Sequence, residues 1–102
     1  MEVILDQHMR FAGDHVVSEI LHSCQDMRVI LLSLQPGQEV APHTSSSSVC
    51  LHVVHGSGEL LVGCEWAPAG TGMLRFYPPG EAHGIRATTE PIVVLATLAP
   101  RP

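Results

Sequence analysis

Histidine is the residue type in this sequence with the widest chemistry, and seven histidines occur among 102 residues. An imidazole can ligate a divalent metal, form hydrogen bonds and exchange a proton near neutral pH. His8, His15 and His22 recur every seven residues, a period that has no meaning on a β-strand. We interpret most of the histidines as exposed, and the candidates for a site are His43 and His83.

Other reaction chemistries have little support. The three cysteines, Cys24, Cys50 and Cys64, show no C-x-x-C spacing, which argues against a disulfide framework and a structural zinc site. No G-x-S-x-G nucleophile motif is present. The chain contains no lysine, so mechanisms that need a Schiff base are excluded.

The charge balance excludes two classes of partner. All five basic residues are arginines and oppose ten acidic residues, which gives a formal net charge of −5. Nucleic acid and anionic membranes attract basic surfaces, so we expect neither as a partner. The apolar runs are far shorter than the roughly 18 residues of a membrane span. The N-terminus lacks a basic signal-peptide head, and we therefore expect a cytoplasmic protein.

Short apolar and β-branched segments predict an all-β fold. Nine glycines and eight prolines interrupt the chain, and no segment keeps a helical period over three turns. We predict a tight turn at 56–58, a longer loop at 68–72 and a polar serine loop at 45–48. The predicted strands are 3–5, 16–22, 27–34, 39–43, 49–54, 59–62, 74–77, 83–87 and 92–98, a spacing typical of a sandwich or barrel.

Two stretches combine glycine, proline and histidine at characteristic spacings. They contain Gly37, His43 and Gly56 at about 37–56, and Gly72, Pro78, Gly80 and His83 at about 72–87. They resemble the two motifs of the cupin superfamily, G-x5-H-x-H-x3,4-E-x6-G and G-x5-P-x-G-x2-H-x3-N, although Ala87 replaces the final Asn. The resemblance implies a double-stranded β-helix, or jelly-roll cupin barrel, in a single domain spanning 1–102.

The resemblance also implies an incomplete metal site. Typical cupins hold a divalent metal with three histidines and one glutamate, but Ser45 stands in the place of the second histidine and Val49 in that of the glutamate. Only His43 and His83 remain as metal ligands. Tight binding of a first-row divalent ion usually needs about three protein ligands. We expect either one weakly held divalent ion, Zn, Ni, Mn or Fe, or no metal.

Donors elsewhere on the same predicted strand do not complete the site. Because side chains alternate along a strand, an inward Val49 makes Leu51 face inward too and places Cys50 and His52 on the outer face. His55 has the inward parity but lies at the end of the strand.

We predict a pocket inside the barrel that binds a small molecule, with His43, Ser45 and His83 as its ligand-binding residues and with the two histidines facing each other across the interior. The protein would act as a sensor or an accessory protein. The alternative is a metal-dependent dioxygenase, isomerase or decarboxylase that uses His43 and His83 as metal ligands. Arg75, Tyr77 and Arg86 could meet an anion at the pocket mouth, but we interpret them as surface charge and a half-buried phenol.

The resemblance further implies a homodimer. Small cupins often pack one sheet of each barrel together, and some exchange an N-terminal strand. The segment 3–5 is the candidate for such an exchange, because an unpaired apolar strand otherwise invites aggregation.

Overall fold

The computed structural model describes all 102 residues, and its regular structure is almost entirely β-strand. The all-β prediction is therefore confirmed. One short 3₁₀ helix, Leu5–Gln7, precedes the strands. The strands are β1 (Val17–Ser23), β2 (Arg28–Leu34), β3 (Glu39–His43), β4 (Ser48–Val62), β5 (Glu65–Gly70), β6 (Leu74–Tyr77), β7 (His83–Arg86) and β8 (Ile92–Ala99). None of the helical structure is long and apolar enough to span a membrane.

The strands pair antiparallel in one sheet that curls on itself. Its main path runs β1-β2-β8-β4-β7-β3, and β5 and β6 each pair with β4. Strand β4 therefore belongs to both halves of the sheet, because residues 48–56 pair with β8 and residues 57–62 pair with β5. The hollow between the two halves is the interior of the barrel.

The prediction of a tight turn at 56–58 is wrong, because β4 continues through these residues. The register of β4 with β8 shifts between Val53 and His55, and from Ser57 onward β4 pairs with β5 instead. A Cβ atom on Gly56 would lie 2.0 Å from the carbonyl oxygen of Pro91, and one on Gly58 would lie 2.2 Å from that of Arg86. The glycines allow close backbone approach, not a chain reversal.

Two further predictions at the edges of the sheet are wrong. The segment 3–5 is not a strand, and the 3₁₀ helix begins at Leu5. Most of the predicted loop at 68–72 lies within β5, where Pro68 pairs with Glu59 of β4. Proline is tolerated there because β5 pairs with β4 alone and so forms an edge of the sheet.

Aliphatic side chains from both halves fill one core. Its fully buried members include Leu34, Val53, Leu60, Ile92 and Val94. Tyr77 links the halves, because its hydroxyl donates a hydrogen bond of 2.7 Å to the carbonyl oxygen of Leu61 in the second part of β4. Burial raises the pKa of Tyr77 to about 12, so the phenol stays protonated and keeps donating.

Candidate functional site

The two candidate histidines lie side by side on neighbouring strands. His43 ends β3, His83 begins β7, and the two residues are paired directly in the register of these strands. Their rings meet edge to face with centroids 4.1 Å apart. The sequence predicted that they face each other across the barrel, whereas the structure brings them together along one wall.

The two imidazoles differ in their exposure to solvent. His83 is only 5% exposed, whereas His43 is exposed and marks the side of the site nearest to solvent. Burial lowers the pKa of His83, and the charge that His43 can carry lowers it further, while a hydrogen bond to the carbonyl of Glu81 opposes both effects. At neutral pH His83 is therefore a neutral imidazole.

Backbone carbonyls fix which nitrogen of each ring carries the proton. Nδ1 of His43 contacts the carbonyl oxygen of Ala41 at 3.0 Å, and Nδ1 of His83 contacts that of Glu81 at 3.4 Å. A carbonyl oxygen can only accept, so Nδ1 must be the donor in both contacts. In the neutral form of each ring the other nitrogen, Nε2, keeps a free lone pair.

A cavity of about 140 Å³ adjoins the two rings inside the barrel. Apart from the histidines and Gly84, its walls are aliphatic, and no charged side chain takes part. Strands β2, β3, β4, β7 and β8 supply the lining, which consists of Ile30, Leu32, Val40, His43, Val49, Leu51, His83, Gly84, Ile85, Ala96 and Leu98.

The alternation predicted for β4 agrees with the structure. Val49 and Leu51 are buried and line the cavity, while Cys50 and His52 are only partly buried on the opposite face. Burial raises the pKa of the Cys50 thiol. His55, whose parity is inward, is exposed because a register irregularity precedes it in β4.

The donors at the cavity do not fit a tightly held divalent ion. No three side chains of His, Cys, Asp or Glu are grouped to hold a metal. At the position where the resemblance expects a glutamate, the hydrocarbon of Val49 lines the cavity. Two imidazoles fall short of the roughly three protein ligands that such an ion usually requires.

Ser45, the third residue predicted for the pocket, is not part of the cavity wall. Its hydroxyl oxygen accepts a hydrogen bond of 3.1 Å from the backbone N–H of Ser47, and its carbonyl accepts one from Gly80. The hydroxyl of Ser47 donates to the carbonyl of Pro100. Short polar side chains readily satisfy nearby backbone groups in this way, and the serine tract bends at Ser46 and Ser47 before β4 begins at Ser48.

The three residues considered for an anion site do not line the cavity. Arg86 forms an ion pair of 2.8 Å with Glu39 and lies 4.0 Å above the ring of Trp66. Tyr77 is buried and bonded to the backbone, with its ring centroid 5.6 Å from that of His83. Nε of Arg75 is buried without a hydrogen-bond partner.

Sequence reasoning missed Gly84, which follows His83 directly. A Cβ atom there would lie 2.9 Å from the ring of Trp66 and 3.1 Å from the carbonyl of Val40. Trp66 therefore packs against the strand that carries His83, and Gly84 also lines the cavity. A glycine inside a strand is the signal that could have revealed this close contact.

The chain matches one protein-family model and resembles solved structures of other proteins. A family model described as "Cupin domain" matches residues 30–98. The TT1209 protein from Thermus thermophilus is 30% identical over 100% of both chains, with a TM-score of 0.90. An RmlC-like cupin protein from Desulfovibrio desulfuricans is 29% identical over 90% of this chain and 89% of its own, with a TM-score of 0.82.

More distant structures share the fold alone. A predicted oxalate decarboxylase from Thermotoga maritima is 22% identical over 84% of this chain and 81% of its own, with a TM-score of 0.77. No protein of curated function matches the sequence. The comparisons thus identify the family and the fold, and they assign no reaction or ligand to this chain.

Proposed function

This chain belongs to the cupin family, and from that premise we propose that it binds a small molecule in the barrel cavity beside His43 and His83. In this role it serves as a sensor or an accessory protein in the cytoplasm. The single observation that carries the proposal is the 140 Å³ cavity whose apolar wall is interrupted by an imidazole pair. Apolar hollows with few polar groups are typical of small-molecule sites.

The composition of the wall supports a binder of uncharged molecules. No arginine and no carboxylate lines the cavity, so a charged ligand would lose its hydration without gaining a counter-ion. His43 lines the cavity and is itself exposed, so the site borders solvent at this residue.

A titration of isotope-labelled protein with uncharged fragments of about benzene size tests the proposal. Binding is expected to shift the methyl resonances of Val49, Leu51 and Leu98, which line the cavity. The variant Ala96→Leu fills the space from β8 and is expected to abolish these shifts. Ala99→Leu, an exposed position on the same strand, is the matched control and is expected to bind as the wild type does. Fragments that bind Ala96→Leu unchanged would place the site elsewhere.

A second candidate is a metal-dependent dioxygenase, isomerase or decarboxylase. The observation that favours it is the pair of free Nε2 lone pairs, since a neutral imidazole nitrogen is a ligand for Zn, Ni, Mn or Fe. With only two such ligands at the cavity, such an ion would be weakly held. Elemental analysis of protein purified without a histidine tag discriminates the two candidates. Stoichiometric metal that disappears in the His43→Ala, His83→Ala double variant supports the enzyme.

The homodimer also remains a proposal. The outer face of β6 carries Leu74 and Phe76, which are 53% and 69% exposed. Burial of these side chains against a second copy would remove apolar surface from water.

A further inference from the structure

Building on the proposed small-molecule site, we infer that the cavity selects neutral hydrogen-bond donors. The ligand class is a compact, uncharged molecule with an apolar body and one O–H or N–H group. This inference names the ligand chemistry of the same cavity and rests on the proposed function.

The tautomers of the two histidines carry the argument. Each Nδ1–H is held by a backbone carbonyl, that of Ala41 for His43 and that of Glu81 for His83. The only ring nitrogen left for a ligand is therefore Nε2, and in the neutral ring this atom accepts hydrogen bonds and cannot donate. The polar part of the cavity is thus an acceptor pair.

Apart from the histidines, the cavity wall offers a ligand no side-chain hydrogen-bond donor. The other lining side chains are aliphatic or absent. A ligand whose polar atom is a carbonyl or carboxylate oxygen would therefore face two lone pairs, and its own acceptor would stay unsatisfied. A ligand hydroxyl or N–H group would instead donate to Nε2, so neither the acceptor of the protein nor the donor of the ligand is left unpaired in the cavity.

The contact between the rings strengthens this preference. The centroids of the two rings are 4.1 Å apart, and both histidines line the same cavity. A ligand that enters the cavity therefore meets two imidazoles rather than one.

The cavity volume sets the size of the ligand. A dry apolar cavity of about 150 Å³ in another protein holds benzene. The 140 Å³ found here accommodates a single six-membered ring or an aliphatic body of similar size. Phenol is therefore a suitable donor probe. Fluorobenzene has nearly the same shape without a donor, and pyridine is an acceptor of the same ring size.

The experiment titrates metal-free wild-type protein, in chelator, with phenol, fluorobenzene and pyridine near pH 8, and follows the cavity methyl groups by NMR. At this pH phenol is uncharged, because phenols titrate near pH 10. Phenol is expected to bind roughly tenfold more tightly than either control. In the His43→Ala variant, whose replaced side chain is exposed, this advantage is expected to shrink toward the affinity of fluorobenzene.

The outcomes separate this inference from the proposed function. Equal affinities for the three probes, or tighter binding of pyridine, would overturn the donor preference and leave a small-molecule cavity intact. The failure of all three probes and of a wider set of uncharged fragments would overturn the proposed function itself. Long-range ¹⁵N spectra check the premise independently, and a proton on Nε2 of both histidines would contradict it.

Discussion

His43 and His83 are directly paired across β3 and β7, and their rings touch edge to face with centroids 4.1 Å apart. Two imidazoles in this contact resist being charged together, and His83 is buried as well. His83 therefore resists protonation more than an isolated surface histidine does.

Acidification is expected to destabilise the fold through His83. Its pKa in the folded protein is lowered from 6.5, so the unfolded chain binds more protons once the pH falls through that value. The contribution of His83 to the free energy of unfolding is fully present above pH 6.5 and is lost as the pH falls from there through the lower pKa of the folded state. Urea unfolding of wild type and His83→Gln at several pH values between about 5 and 8 measures the difference. The wild-type curve should have the steeper pH dependence, and parallel curves would contradict the assignment.

Gly56→Ala is expected to lower the free energy of unfolding far more than Gly72→Ala does. Both glycines have a positive φ, 83° and 93°, so both substitutions carry a similar backbone strain. Only at Gly56 would the new methyl group meet the carbonyl oxygen of Pro91, at 2.0 Å. We expect a loss of about 3 kcal/mol or more for Gly56→Ala and about 1 kcal/mol for Gly72→Ala. Chemical denaturation measures both, and equal losses would show that the conformation alone requires glycine.

The same glycine shows where sequence reasoning reached its limit. Alternation of side chains correctly predicted that Val49 and Leu51 face inward, because burial on one face leaves a local pattern of period two. Whether Gly56 reverses the chain or lets two backbones approach depends on Pro91, which lies far away in sequence. No local pattern contains that information.

The candidate site was likewise predictable only in part. The motif spacing singled out His43 and His83, and the structure places both at one cavity. Ser45 was assigned by its position in a motif, but the bonds that turn its hydroxyl toward Ser47 are specific to this serine-rich loop. The support given by Trp66 to Gly84 involves two strands that are not neighbours in sequence, so pattern alone could not reveal it.

Gly84→Ala is expected to destabilise the strand that carries His83. The added methyl group would lie 2.9 Å from the ring of Trp66, so the indole must move. We expect a loss of about 1–3 kcal/mol and a change in the fluorescence of Trp66, the only tryptophan. In a Trp66→Leu background the same substitution should cost less, because the nearest clashing atom, which belongs to the indole, is gone. Additive losses in this double-mutant cycle would argue against the contact.

Phe76→Glu is expected to yield a monomer from a homodimeric wild type. Phe76 is the most exposed aromatic side chain of the sheet at 69%, and it shares the outer face of β6 with Leu74. A carboxylate there would oppose burial against a second copy. Size-exclusion chromatography with light scattering should give twice 11.0 kDa for the wild type and 11.0 kDa for the variant. Ile20→Glu, at a 57% exposed position on β1, is the control expected to stay dimeric.

Val49→Glu is expected to convert the histidine pair into a three-ligand metal site. Val49 lines the cavity together with His43 and His83, so a carboxylate there supplies the missing donor. Without metal the buried charge should lower the melting temperature, and Zn²⁺ or Mn²⁺ should restore it, because the unfolded chain lacks the assembled site. We expect the affinity for Zn²⁺ to rise roughly tenfold or more over wild type in calorimetric titrations.

Cys50→Glu is the control for this prediction, because it places the same carboxylate on the opposite face of β4 and should gain no affinity for Zn²⁺. A wild type that binds Zn²⁺ as tightly as Val49→Glu would mean that another group already completes the coordination, and the small-molecule interpretation would then yield to the metal-dependent one.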